Sequence, residues 1–235
     1  MQSRVRLQGA DLSMSSLAKR VISACVMLPL VLAAMWYGGW GFLIFIFVLT
    51  VAAVFEWGRM ALSGDKKAKD FVILSAGYLY ILFAASAMIF LRLKNENGFA
   101  LTLLVFGMIW ATDICAYFSG KTIGGPKMAP KISPNKTWAG MIGGMLGSAG
   151  VAALFTLDAY RPAALDDWSL LCMLILGACF AVIGQAGDLL VSAMKRKYGV
   201  KDTGHLIPGH GGVLDRIDAL LLAAPVFSAI LIFGG

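Results

Sequence analysis

Residues 187–218 read GDLLVSAMKRKYGVKDTGHLIPGHGGVLDRID and lie between two runs of apolar residues. Eleven side chains of this stretch are acidic, basic or histidine. Carboxylates are costly to place in lipid, and they persist there when they are paired, solvated or bound to a cation. A charged stretch at the ends of two apolar segments therefore predicts a functional site at a membrane edge. Its mixture of acids and bases indicates a site for a divalent cation together with a polyphosphate.

The rest of the chain has the composition of a polytopic membrane protein. Of its 235 residues 59% are hydrophobic and 14% are charged, with a mean hydropathy of +0.80, whereas soluble domains carry about 25% charged residues. Seven apolar segments are long enough to cross about 30 Å of hydrocarbon as helices. They cover residues 17–37, 40–58, 71–91, 99–119, 137–157, 168–190 and 213–233. Only the glycine-rich turn at residues 38–41 precedes the second segment, so the first two could instead form a hairpin that dips partway into the membrane.

We therefore expect an all-α transmembrane helix bundle of about seven spans. One integral membrane domain is expected over residues 1–235, because no loop is long enough for a separate soluble domain. Its N-terminal spans would lie within about 17–91, and the catalytic spans and cytoplasmic loops within about 99–233. The first apolar run lacks a signal-peptidase pattern and is expected to be an uncleaved anchor helix.

The distribution of basic residues predicts the orientation of the spans, since Lys and Arg collect in cytoplasmic connections. Counted over alternate connections, sixteen of the twenty Lys and Arg residues lie on one side and three on the other. The sixteen include Arg4, Arg6, Lys19, Arg20, Lys66, Lys67 and Lys69. We therefore expect a cytoplasmic N-terminus and an external C-terminus. The net charge of +7 then faces anionic headgroups and nucleotides in the cytoplasm, and it does not indicate nucleic acid binding.

Two loops on the predicted cytoplasmic side could form one site together. Residues 119–137, SGKTIGGPKMAPKISPNKT, are rich in Gly, Pro and Lys, which disfavours a regular helix and exposes backbone N–H groups. The second loop covers residues 195–212. The fifth apolar segment opens with glycines at a spacing that lets helices approach closely. These are Gly140, Gly143, Gly144, Gly147 and Gly150.

Three aspartates of the charged stretch are candidate metal ligands. Asp215 and Asp218 are three residues apart and share one face of a helix that begins near Gly212, while Asp188 ends the preceding segment on the same side. Carboxylate oxygens suit Mg²⁺, which completes its shell with water and substrate phosphates. The alternative is that each aspartate forms a structural pair with a neighbouring Lys or Arg. Two further acids, Asp113 and Glu56, also need partners, which the sequence cannot identify.

Glycines and basic residues of the same stretch indicate a phosphate site. Three glycines flank His210 just before a helix start, where backbone N–H groups can bind an anion. They are Gly209, Gly211 and Gly212, and the surrounding cations are Lys195, Arg196, Lys201 and Arg216. This positive charge can neutralise a triphosphate and hold a phosphomonoester. The alternatives are that residues 195–197 act only as a stop signal for the sixth segment and that His210 is structural.

The same residues resemble the signature of the phosphatidate cytidylyltransferases, the CDP-diacylglycerol synthases. The first matching pattern is Ser192-x-x-Lys195-Arg196, then Lys201-Asp202, then Leu206-Ile207-Pro208-Gly209-His210-Gly211-Gly212-x-Leu214-Asp215-Arg216-x-Asp218. The second is Asp113-x-x-Ala116-Tyr117-Phe118-x-Gly120-Lys121, followed by Lys127-x-Ala129-Pro130-x-Ile132-Ser133-Pro134-Asn135-Lys136-Thr137-Trp138. These patterns cover the C-terminal half, and the N-terminal third is similar in hydropathy alone. The chain has Ala139 and Val191 where the family often has glutamates.

The resemblance implies transfer of CMP from CTP to phosphatidic acid, which gives CDP-diacylglycerol and pyrophosphate with Mg²⁺ as cofactor and a second cation as an open alternative. By the resemblance, the metal ligands would be Asp188, Asp215 and Asp218. The catalytic group would further contain Lys201, Asp202, His210 and Arg216, with Asp202 orienting Lys201. Substrate binding would involve Asp113, Lys127, Ser133, Asn135, Lys136, Ser192, Lys195, Arg196, Gly209, Gly211 and Gly212. The expected setting is the bacterial inner membrane with the site facing the cytoplasm, in contact with the lipid bilayer, either as a single chain or as a homodimer.

Two other functions use similar ingredients. A CTP-dependent kinase of a polyprenol-type lipid would transfer the γ-phosphate instead, but the long first pattern argues against it. A seven-helix transporter would place acids near mid-membrane on several helices. In this sequence the acids cluster towards the cytoplasmic ends, beside a basic loop that a cation pathway would disfavour.

Overall fold

The computed structural model describes residues 16–62, 68–94 and 97–234. In this part of the chain the secondary structure consists of seven α-helices, one two-stranded hairpin and a short 3-10 turn at Ala163–Leu165. The helices are α1 (Ser16–Tyr37), α2 (Gly39–Leu62), α3 (Ala68–Leu93), α4 (Gly98–Thr122), α5 (Trp138–Leu154), α6 (Leu170–Lys197) and α7 (Leu214–Phe233). The all-α fold class is therefore confirmed, and each predicted apolar segment corresponds to one helix.

Among the described residues, five helices are long and apolar enough to cross a membrane. They span Gly39–Leu62, Phe71–Leu93, Gly98–Thr122, Leu170–Lys197 and Leu214–Phe233, while Val21–Tyr37 and Trp138–Leu154 are shorter apolar helices. Large apolar side chains such as Phe47, Phe55 and Phe83 point away from the bundle and are more than 60% exposed. An apolar outer surface of this extent is expected where lipid rather than water surrounds the helices. The chain is an integral membrane protein, and the number of spans and the sides of its termini stay predictions.

The orientation predicted from basic residues depends partly on positions outside the described residues. Arg4 and Arg6 are among these positions, whereas Lys19 and Arg20 lie within α1. Lys66 and Lys67 are also among them, whereas Lys69 lies within α3.

A glycine turn separates the first two helices. Gly38 and Gly39 have φ values of 59° and 46°, in the left-handed region that side chains with a Cβ rarely adopt. The turn ends α1 and starts α2 in a new direction. The 24-residue α2 then runs on without interruption, so the first two segments form two separate helices.

The glycine face of α5 packs directly on α4. A Cβ on Gly143 would lie 2.0 Å from Ser119 Oγ, and one on Gly147 would lie 2.5 Å from Cys115 Sγ. No larger residue fits at these positions without separating the two helices. Gly150, by contrast, has open space around it. The predicted close approach of small residues is therefore formed by four of the five glycines, and it fixes α4 against α5 as van der Waals packing does in membranes.

The C-terminal helices pack through large buried side chains. Phe180 of α6 and Phe227 of α7 are each 1% exposed or less, and their ring centroids lie 5.8 Å apart in an edge-to-face arrangement. Leu101, Leu104 and Met108 of α4 are fully buried in the same core. This core holds α4, α6 and α7 together beneath the ends that carry the charged residues.

Residues 119–137 are more ordered than the sequence predicts. The expected irregular loop contains a hairpin of β1 (Lys127–Ala129) and β2 (Ser133–Thr137), with Lys127 opposite Thr137 and Ala129 opposite Ser133. Strands of three and five residues are too short to give a clear alternation of apolar and polar residues, which explains why the pattern did not reveal them. Thr137 ends β2 and caps α5, because its Oγ1 accepts the N–H of Gly140 at 3.0 Å.

Candidate active site

The two charged loops meet beside the adjoining ends of α4, α6 and α7. Arg196 at the end of α6 donates from Nε to the carbonyl of Ile132 in the hairpin turn at 3.1 Å and from Nη1 to the carbonyl of Val200 at 3.3 Å. Lys136 of β2 forms an ion pair with Asp188 of α6, with Nζ and Oδ2 2.5 Å apart. The structure therefore brings the two loops into one site. Arg196 thus joins the hairpin to α6, and its assignment to substrate binding stays a prediction.

A polar cavity of about 190 Å³ lies under the hairpin. Its polar lining residues are Asp113, Tyr117, Asn135, Lys136, Thr137, Gln185 and Asp188. Asn135 and Lys136, which the resemblance assigns to substrate binding, are thus part of this lining. Lys127 and Ser133 also lie on the hairpin, but they are not part of this lining.

A larger, mainly apolar cavity of about 480 Å³ lies between α1, α2, α3, α4 and α7. Its walls are formed by side chains such as Val31, Phe45 and Trp110. Its charged lining residues are Asp113 and Arg216. Because Asp113 lines both cavities, the apolar and the polar cavity adjoin at this carboxylate.

Three aspartates from three helices approach one another at this junction. Asp113 of α4, Asp188 of α6 and Asp218 of α7 are close enough to interact electrostatically. Ser192 donates to Asp188 Oδ1 at 3.1 Å and so orients this acid, while its substrate-binding role stays a prediction. Asp218 Oδ1 accepts the N–H of Ala219 at 2.8 Å.

The predicted metal trio is not assembled as a set. Nowhere in the described ranges do three His, Cys, Asp or Glu side chains converge closely enough to hold an ion. The donor chemistry of these acids nevertheless fits a hard cation, since Asp113 and Asp188 line the polar cavity and Asp218 is close enough to both to interact electrostatically. Asp215 fits less well, because protein donors already contact both of its oxygens.

Asp215 is the centre of a buried hydrogen-bond network. Its Oδ1 lies 2.6 Å from Lys195 Nζ. Its Oδ2 accepts the backbone N–H groups of Thr203 at 2.8 Å and Gly212 at 3.0 Å, and lies 3.1 Å from Thr203 Oγ1. Lys195 and Asp215 are each 8% exposed. Lys195 is therefore paired inside the protein rather than presented to phosphate, which is the structural alternative that the sequence left open.

The partner of Glu56 was missing from the sequence interpretation. This carboxylate reaches from α2 to the start of α7, where Oε1 accepts the N–H of Val213 at 3.0 Å and Oε2 accepts that of Leu214 at 2.9 Å. Thr203 Oγ1 lies 3.0 Å from Oε2. The side chain is 2% exposed. In the sequence, Glu56 is recognisable only as an acid in an apolar segment. Such an acid indicates a functional position but does not show which groups it contacts.

The glycine-rich loop forms a tight turn before α7. Gly209 and Gly211 have φ values of 77° and 81°, which require glycine. His210 Nδ1 lies 2.6 Å from Ser23 Oγ, so α1 contacts this loop directly. Lys201 and Asp202 are exposed, and among the described side chains no ion pair joins them. The predicted orientation of Lys201 by Asp202 is therefore not formed in this structure.

Val191, one of the two departures from the family pattern, lies in an apolar environment. It is 2% exposed and packs in a cluster with Trp57 and Leu214. A glutamate at this position would need a buried partner. Valine thus suits its apolar surroundings.

The arrangement is suited to joining an apolar molecule to a polyanion. Arg216 supplies positive charge at the apolar cavity and Lys136 supplies it at the polar cavity. Guanidinium and ammonium groups bind phosphate oxygens through charge-assisted hydrogen bonds. Acids able to hold a cation lie between the two.

Comparisons with known proteins agree with this chemistry. Residues 63–233 match the model of the cytidylyltransferase family. A phosphatidate cytidylyltransferase of Brucella suis biovar 1 is 35% identical, with 90% of this chain and 92% of the relative covered. Proteins of the same name from Rickettsia typhi and Rickettsia bellii are each 38% identical, covering 91% and 92% of this chain and 91% of each relative. The resemblance seen in the sequence is confirmed, and this chain belongs to the cytidylyltransferase family.

Proposed function

We propose that this chain transfers CMP from CTP to phosphatidic acid and thereby forms CDP-diacylglycerol and pyrophosphate for phospholipid biosynthesis. The observation that carries the proposal is the apolar cavity of about 480 Å³ that adjoins a polar cavity of about 190 Å³ at Asp113. The lining of the first cavity suits the apolar part of a lipid with a phosphate headgroup, and the lining of the second suits the polar groups of a nucleotide. The names of the relatives support the same pair of substrates.

In this proposal each substrate has its own contacts. The acyl chains of phosphatidic acid occupy the apolar cavity, and Arg216 holds the phosphomonoester. Asn135 and Lys136 contact CTP. Lys201 and His210, on the loop before α7, are two further groups that can contact a substrate phosphate.

The reaction needs no covalent protein intermediate. An oxygen of the phosphatidate phosphate attacks the α-phosphorus of CTP and forms a new P–O bond, while the bond to the pyrophosphate oxygen breaks and its electron pair leaves with pyrophosphate. A phosphomonoester is already nucleophilic at neutral pH. The chain's residues therefore act mainly by holding two anions in line and by neutralising charge that develops on the leaving group.

Mg²⁺ is part of the proposal. Asp188 and Asp218 would hold it, with Asp113 nearby, and when bound it would supply positive charge to the triphosphate. Asp215 belongs to the predicted metal set, yet its contacts with Lys195 and Thr203 favour a role in keeping the loop in place. The proposed setting is the bacterial inner membrane, with both cavities accessible to cytoplasmic CTP. A homodimer stays a prediction, which the mass of the protein in detergent would test.

The deciding experiment is the conversion of labelled CTP and phosphatidic acid by the purified protein in detergent, with and without Mg²⁺. ATP and a polyprenol are tested in parallel. CDP-diacylglycerol with release of pyrophosphate is the expected result. CDP and a phosphorylated alcohol would support the lipid kinase instead, and a folded protein without turnover would refute both enzymes and return attention to transport.

A further inference from the structure

Helix α7 begins without a cap from its own loop. The first N–H groups of a helix have no partner inside the helix and need an acceptor from elsewhere. Thr137 and Ser169 supply such an acceptor locally for α5 and α6. At α7 the corresponding residue is Val213, whose side chain has no hydrogen-bonding atom.

Glu56 takes the place of the missing cap from a different helix. Its two carboxylate oxygens accept the N–H groups of Val213 and Leu214 at 3.0 and 2.9 Å, across a separation of more than 150 residues in sequence. The positive end of the α7 dipole stabilises a negative charge at this point. Of the ion pairs formed by described residues, Lys136 with Asp188 and Lys195 with Asp215, neither includes Glu56. Its charge is therefore balanced mainly by these backbone groups and a hydroxyl.

The surrounding chain is shaped to admit this side chain. A Cβ on Gly204 would lie 2.5 Å from Glu56 Oε1, and a Cβ on Gly212 would lie 2.3 Å from Oε2. Gly204 does not have a left-handed backbone, so its small size serves the contact with Glu56 rather than a turn. Two glycines of the loop thus enclose the carboxylate.

The same contact continues into the proposed active site. Thr203 Oγ1 lies 3.0 Å from Glu56 Oε2 and 3.1 Å from Asp215 Oδ2, so this hydroxyl lies between the two carboxylates and can donate to either. The first turns of α7 also carry Arg216 and Asp218, which the proposed function places at substrate and metal. A shift of the start of α7 would move all of these groups together.

We propose that Glu56 is a positioning residue for this reaction, which caps α7 from α2 and thereby sets the position of the catalytic end of α7. The proposal rests on the proposed function for its kinetic consequence, whereas the cap itself can be measured separately. A carboxylate is required because both oxygens accept N–H groups. The amide of glutamine would turn an NH₂ group towards one of these donors.

The test compares Glu56→Gln with the matched control Trp57→Phe in the full-length protein. Trp57 is the next residue of α2, and its indole N–H donates to the carbonyl of Leu74 at 3.3 Å. The control therefore loses a helix-to-helix hydrogen bond, while phenylalanine keeps an aromatic ring in the apolar cluster that Trp57 shares with Leu214. For Glu56→Gln we expect kcat to fall on the order of 10²-fold, the loss typical of displacing a catalytic group by about 1 Å, with KM for CTP near the wild-type value. Trp57→Phe should keep kcat near wild type.

Hydrogen exchange measured by mass spectrometry tests the cap independently of turnover. In Glu56→Gln the amides of residues 213 and 214 should exchange faster than in the wild type, and in Trp57→Phe they should not. A third variant, Gly204→Ala, should lower kcat because its methyl group displaces the carboxylate. Adding it to Glu56→Gln should lower kcat little further, since both changes remove one contact.

The outcomes separate the two proposals. The positioning role would be overturned if Glu56→Gln kept the wild-type kcat, or if Glu56→Gln and Trp57→Phe lowered kcat equally. It would also be overturned if the effects of Glu56→Gln and Gly204→Ala on kcat multiplied fully in the double variant. If the wild-type protein does not convert CTP and phosphatidic acid, the proposed function fails. In that case unchanged amide exchange in Glu56→Gln would overturn the cap as well, and faster exchange would support it.

Discussion

Replacing Asp215 by asparagine tests whether this aspartate holds the protein together or serves mainly as a metal ligand. The change keeps the size of the side chain and removes its charge. Lys195 would then be a buried cation without its partner, which in the wild type lies 2.6 Å away. The amide would also have to place either its oxygen or its NH₂ group against the N–H donors of Thr203 and Gly212.

The magnitude follows from the burial of the pair. The side chains of Lys195 and Asp215 are 10% and 4% exposed, so water can screen neither charge effectively. Removing one partner of a buried ion pair typically lowers the free energy of unfolding by about 3–5 kcal/mol. We expect Asp215→Asn to fall in this range. Lys195→Met should cost less, because the backbone N–H groups at Oδ2 continue to stabilise the remaining carboxylate.

The assay is unfolding of the purified variants by titration with SDS in mixed micelles, in buffer without Mg²⁺. The double variant Lys195→Met with Asp215→Asn contains no isolated charge. Its loss in free energy of unfolding should therefore be smaller than the sum of the two single losses by about 0.5–3 kcal/mol. Wild-type stability of Asp215→Asn, or single losses that add, would refute this reasoning. Loss of turnover without loss of stability would instead indicate a role limited to metal or substrate.

Three further substitutions test the proposed division of the site. Asp218→Asn should abolish detectable CDP-diacylglycerol formation while SDS unfolding stays near wild type, because the described contacts of Asp218 are local; retained turnover would argue against it as a ligand. Lys136→Met removes the cation paired with Asp188 and should raise KM for CTP about tenfold or more, as expected for one charge-assisted contact. An equal rise in KM for phosphatidic acid would contradict the assignment of the polar cavity to CTP. Ala85→Phe fills part of the apolar cavity and should raise KM for long-chain phosphatidic acid with little change for CTP; unchanged use of the lipid would place the acyl chains elsewhere.

The helices of this fold follow from the sequence because lipid imposes simple rules. A segment that crosses a membrane must satisfy its own backbone and present apolar side chains, and both requirements are visible in single segments. The glycine spacing at Gly143 and Gly147 likewise predicted the close packing of α5, since only small residues allow it. The hairpin was not predicted, because its strands are short and its pairing depends on the turn around Ile132.

The candidate site was only partly predictable because charge alone does not show which partner a side chain selects. The motif grouped Lys195 with Arg196 as phosphate ligands, yet folding buries the first against Asp215 and uses the second to hold the hairpin. The resemblance assigned Asp113 to substrate binding, but its position between two cavities depends on how α4 packs. Glu56 shows the same limit, because its partners lie more than 140 residues away in sequence.

The contact between α2 and α7 bears on where this chain can be divided. The match to the cytidylyltransferase family begins at residue 63, downstream of Glu56, so a fragment designed from that match would omit the carboxylate that completes α7. Two N–H groups at the end of a buried helix would then lose their acceptor, at a cost of about 1–3 kcal/mol for each group left without a partner. The region that carries the recognisable motifs is thus smaller than the part of the chain that is needed to fold the site. Chimeras that exchange the N-terminal helices between relatives should therefore be joined upstream of Glu56.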